Sequence, residues 1–103
     1  MEFSKYNFKT FTVTVAHPAV FTSTTHELYT DDRIILETTG ALPTGLTADT
    51  EYWVIRNGIT ADTFQLSETQ GGDHIVTTGT QSGTHSYLKV NRARLEPLAE
   101  NNR

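Results

Sequence analysis

The residue types most suited to chemistry in this chain are four histidines, at positions 17, 26, 74 and 85, and an adjacent carboxylate pair, Asp31 and Asp32. A zinc or iron centre needs two or three imidazoles converging, usually with a carboxylate. No two histidines stand at i, i+2 on one strand, and none forms a helical His-Glu-x-x-His. His26 and His85 read instead as structural hydrogen-bonding residues near strand ends, and no metal or cofactor is expected. Neighbouring residues of a strand point to opposite faces, so Asp31 and Asp32 do not share a ligand. They read as a turn in which Asp bonds local backbone. No Gly-x-Ser-x-Gly elbow is present, and the loop Thr78–Thr84 lacks the Gly-Lys-Ser/Thr ending of a phosphate loop. No catalytic set emerges, and the expectation is a protein that is not an enzyme. Tyr52 and Trp53 are adjacent, so one faces away from the core. An outward aromatic could stack on a sugar ring, or fill a core edge or a subunit contact.

These side chains must be carried by strands. Thr10–Val15 alternates, with Phe11, Val13 and Val15 facing in and Thr12 and Thr14 facing out. Pro18 interrupts, because it has no amide to donate to a ladder. Ala19–Thr24 reads as a second strand, followed by a loop in which Leu28 or Tyr29 points inward. Arg33–Thr38 is a third strand, whose consecutive Ile34, Ile35 and Leu36 imply apolar contact on both faces. Leu42-Pro43-Thr44-Gly45-Leu46 then bends the chain after Gly40, with Pro43 presetting φ and Gly45 free to take positive φ. Glu51–Arg56 is rich in aromatic and β-branched residues. Asn57-Gly58 breaks it, since both residues tolerate the left-handed conformation. In Thr63–Ser67, Phe64 and Leu66 share a face. Glu68–Asp73 is a turn or a single helical turn, and His74–Thr78 and His85–Val90 are the last two strands. The sum is an all-β domain, a small β-sandwich or barrel of about seven short antiparallel strands.

The 103 residues read as one β domain over 10–90, flanked by an N-terminal arm (1–9) and a C-terminal tail (91–103). With no cysteine, neither a disulfide nor a thiolate zinc site is available. No apolar run approaches the length of a membrane span. Met1–Phe11 has neither the apolar core nor the cleavage site of a signal peptide, so a soluble, intracellularly made protein without membrane association is expected. The net charge of −4 disfavours nucleic acid. Its distribution is uneven: residues 10–90 carry −6 and the two ends +2. Phe3, Tyr6 and Phe8 in the arm carry apolar area that wants a partner, and Arg92, Arg94 and Leu95 in the tail offer forked donors and an apolar anchor. These six residues are the expected interface, on a homo-oligomer for which a trimer is favoured.

The order of residues from His26 to His85 resembles a β-rich module that recurs in virion proteins of tailed bacteriophages. The likeness rests on His26, Leu28 and Asp32 before an apolar strand and on Thr38-Thr39-Gly40 with Leu42, Pro43, Gly45 and Leu46. It continues through the aromatic strand Tyr52–Ile55, then Thr63, Phe64 and Leu66, and closes on Gly83-Thr84-His85. Glu27 stands where that module usually has glycine, and Thr30-Asp31 where Gly-Asp is common. The resemblance implies a virion structural protein acting through contacts with the major capsid protein or tail proteins. A capsid decoration (cement) protein is the favoured reading, because the module stands by itself between two arms. The alternative is a small tail, baseplate or fibre subunit, and a second class of reading is a module that binds host glycan or another receptor.

Overall fold

The computed structural model describes residues 8–90. Six strands form: β1 (Lys9–Val13), β2 (Phe21–Thr22), β3 (Arg33–Thr38), β4 (Glu51–Ile55), β5 (Thr63–Ser67) and β6 (His85–Val90). All pairings are antiparallel, and the strands close into a barrel in the order β1-β2-β5-β4-β3-β6. No helix occurs among the described residues. The expected all-β architecture is therefore present, as a barrel rather than a sandwich.

Several expectations are corrected. Among the described residues there are six strands, because His74–Thr78 is not a strand. That segment makes only isolated bridges, Ser67↔His74 and Thr44↔Thr78. It instead fastens to β5 and to the loop after β1, with Ile75 N donating to Leu66 O and Thr77 N to Ala16 O. The second strand shrinks to Phe21–Thr22 because the residues before it bend through Pro18. The first strand ends at Val13, and Val15 is 43% exposed rather than inward, since the chain has left the ladder before reaching it. The arm boundary moves as well: Lys9 belongs to β1, opposite Tyr87. In the Asn57-Gly58 turn only Gly58 has positive φ (76°), so the connection is not a two-residue hairpin with both residues left-handed. Of the pair Leu28 and Tyr29, Leu28 is buried and Tyr29 is 70% exposed.

The core is aromatic at its centre. Phe21 and Phe64 stack at 5.3 Å, with planes 13° apart, across the β2–β5 seam. Phe11 meets Phe21 at 5.6 Å, and Tyr87 meets Phe64 edge-on at 5.9 Å. These rings draw together β1, β2, β5 and β6, where the two-residue β2 supplies few backbone bonds. Ile34, Leu36, Val54 and Leu66 fill the β3–β4–β5 side and are fully buried. The bend before β4 depends on a close approach. Gly45 has φ 115°, and a Cβ there would run into the Val76 carbonyl oxygen. Pro43 is fully buried in the same bend. Gly40 lies so near the Ser82 backbone that a Cβ would sit 2.6 Å from its carbonyl oxygen, which admits only glycine beside the Ala41↔Ser82 bridge.

Candidate functional site

His85 opens β6, and its ring turns into the barrel wall. Its Nε2 donates to Gln81 Oε1 at 2.8 Å, and Thr38 Oγ1 donates to its Nδ1 at 2.8 Å. Thr38 Oγ1 also accepts from Gly40 N at 3.1 Å, and Gln81 Nε2 donates to Val13 O at 2.8 Å. This relay of side chains ties the end of β1 to the β3–β6 seam. Burial pushes the His85 imidazolium down from its ordinary value, because the charged ring loses water. Above the relay lies an open cleft of ≈ 670 Å³ walled by Thr10, Thr12, Thr22, Thr24, Ser82 and Thr84. Its wall is hydroxyl-rich and uncharged.

His26 is also committed to the fold. Its Nδ1 accepts from Leu28 N at 2.8 Å, while Nε2 faces Thr60 O at 2.6 Å and Thr63 O at 3.0 Å. An acceptor on one nitrogen and a donor on the other leave the ring nothing to offer a substrate. Asp32 Oδ2 accepts from Tyr29 N at 2.8 Å and lies 3.3 Å from Lys89 Nζ. Asp31 has φ 74° and donates its amide to Val54 O. The pair is a turn, as its sequence implies. Glu37 and Asp49, not singled out in the sequence, have hydrogen-bonded carboxyls. The Asp49 side-chain hydrogen bond first, then lost water and the nearby Asp49 charge, holds the Glu37 carboxyl above its usual range.

Compared with known protein families, curated proteins and solved structures, the chain matches none.

The outer face of β3, β4 and β6 is the other notable surface. Tyr52 points inward, and its hydroxyl accepts from Thr47 N at 2.9 Å. Trp53 points outward and is half-buried, with the Arg33 guanidinium 5.3 Å from its ring centroid. Arg33 Nη1 is also 2.9 Å from Glu51 Oε1. Register sets Ile35 opposite Leu88 and Arg33 opposite Val90 on this same outer face, all half-buried. The consecutive apolar residues of β3 thus divide between the core (Ile34, Leu36) and this face (Ile35).

Of the expected interface residues, Phe8 is described and 45% exposed. Phe3, Tyr6, Arg92, Arg94 and Leu95 lie outside the described residues. The turn residues Gly40, Pro43 and Gly45 lie together at the bend before β4, while Asn57 and Gly58 lie in the β4–β5 connection. Asn57 Nδ2 donates to Gln65 Oε1 at 3.4 Å there. The sequence reading missed one proximity: His17 and His74, far apart in the chain, have ring centroids 5.0 Å apart. Among the described residues no group of three or more potential metal-ligating side chains occurs, and no helix is long and apolar enough to cross a membrane.

Proposed function

We propose that this chain is a non-enzymatic structural protein of a tailed-bacteriophage virion, acting as a capsid decoration protein through protein–protein contacts. The observation that carries the proposal is the outer face of β3, β4 and β6. It offers Ile35, Leu88, Val90 and Trp53 in one apolar strip with Arg33 at its side. Both ends of the domain leave the barrel beside this strip. β1 starts at Lys9, opposite Tyr87, and β6 ends at Val90, opposite Arg33. Among the described residues, Leu88 to Val90 have a strand partner only on the β3 side. An arm added to this edge would set its aromatic residues against Leu88 and Val90, aromatic on aliphatic. In the proposed assembly that arm comes from a neighbouring copy. Exchange of arms around a closed ring, a trimer in this reading, gives each copy one donor and one acceptor edge.

The alternative of a glycan-binding tail or fibre subunit would use Trp53 as a stacking platform. The Arg33 guanidinium already lies against that ring, which favours an interface role over sugar stacking. The test is quantitative mass spectrometry of heads and tails separated from the particle that carries the protein. An icosahedral copy number on heads supports decoration. Presence on tails alone transfers the assignment to the tail reading, and absence from both ends the virion reading. A chain lacking residues 1–8 should keep its β circular dichroism and lose attachment to heads. Normal attachment would show that the arm is dispensable.

A further inference from the structure

We infer that His17 and His74 form a two-imidazole chelate for a borderline divalent cation of the zinc class. The ring centroids are 5.0 Å apart and the planes cross at 49°. A metal about 2.1 Å from each nitrogen, with each ring centre about 1.1 Å beyond, separates two centroids by about 4.5 Å at a right angle and about 5.2 Å at a tetrahedral one. The observed spacing falls between these limits.

The segments that carry the two rings are held together by the backbone. Ala19 N donates to Ile75 O at 3.0 Å, and Thr77 N to Ala16 O at 3.1 Å, so the segments carrying the two histidines are clamped on both sides. Ala16 N also donates to Thr77 Oγ1 at 3.0 Å, and Ile75 N fastens the second segment to Leu66 of β5. A chelate so prepared loses little further freedom on binding. His17 is exposed and His74 half-buried, so a hydrated ion can reach both. The contrast with the other histidines is direct. His26 and His85 use both ring nitrogens within the fold, whereas among the described residues neither His17 nor His74 hydrogen-bonds to protein through its ring.

The surroundings favour a cation. A cleft of ≈ 380 Å³ beside His74 is lined by Glu68 and Asp73 and by no basic side chain. These carboxylates attract the ion through space; they do not make a third ligand, since no group of three potential ligands occurs among the described residues. Water completes the coordination shell. Imidazole suits zinc, copper and nickel, and the absence of a carboxylate cage disfavours calcium and magnesium.

Isothermal titration of the untagged full chain with zinc chloride tests this, alongside NMR of the imidazole protons. The expected result is one ion per chain, with perturbation centred on His17 and His74. His17→Ala and His74→Ala should each weaken binding about tenfold or more while the β circular dichroism persists. Should His74→Ala disturb the fold, the exposed His17→Ala still decides the matter. No heat and no shifts at millimolar zinc would overturn the assignment. So would binding that either folded variant retains at full strength, or shifts centred on other residues.

Discussion

Two positions with positive φ lead to opposite expectations when substituted. Gly45 has φ 115° and faces the Val76 carbonyl oxygen, so Gly45→Val adds both backbone strain and a collision. The expected loss is about 1–3 kcal/mol, read as a lower melting temperature. Glu27 has φ 58° without being glycine. Glu27→Gly should raise stability by about 1 kcal/mol, relief of left-handed strain being partly offset by a freer unfolded chain. Chemical denaturation of both variants measures the pair, and a destabilised Glu27→Gly would mean that the carboxylate makes a contact worth more than the strain. His85 carries a pH dependence. Its folded-state value lies below the ordinary one near 6.5, so the unfolded chain takes up the proton first as pH falls. Stability from this group is complete above that ordinary value and declines as pH falls through the window down to the lowered one. In melting curves across this range, His85→Gln should lose less stability on acidification than the parent. Parallel profiles would show that the ring does not report on folding.

At the scale of elements, the barrel has one weak stave. β2 contributes two residues, paired with two of β1 and two of β5, whereas β3 and β6 share six pairs. Amide exchange should therefore be fastest at the β1–β2–β5 seam and slowest at β3–β6, with the Phe21–Phe64 stack setting the limit. Uniform protection around the barrel would show that aromatic packing fully compensates for the missing backbone bonds. This stave also marks where sequence reading is least informative. Arg33–Thr38, Thr63–Ser67 and His85–Val90 are legible because branched and aromatic residues recur along them with nothing to break the ladder. Around Pro18 and in His74–Thr78 the same residue types occur, but long-range clamps decide the backbone: Ala19 to Ile75 and Thr77 to Ala16. The carbonyl near Gly45 is likewise visible only when distant loops meet. The roles of His26 and His85 could be anticipated from their places at strand ends. The His17–His74 proximity could not, because it depends on which loops the closed barrel stacks together.

At the scale of the whole molecule, the first of the described strands pairs with the last. Phe11 of β1 pairs with His85 of β6, about 74 residues further along, while β3, β4 and β5 form a contiguous meander. A ribosome adding about 5–20 residues per second makes β6 some 4–15 s after β1. During that interval β1 can pair with β2 and, through it, with β5, but the β6 side of β1 and the β6 side of β3 both stay open. Synthesis thus leaves a nascent open sheet with two unpaired edges, β1 and β3, until its closing strand leaves the exit tunnel. Any chaperone that engages this chain during translation would find its open edges at residues 9–13 and 33–38, and would release them when residue 90 emerges.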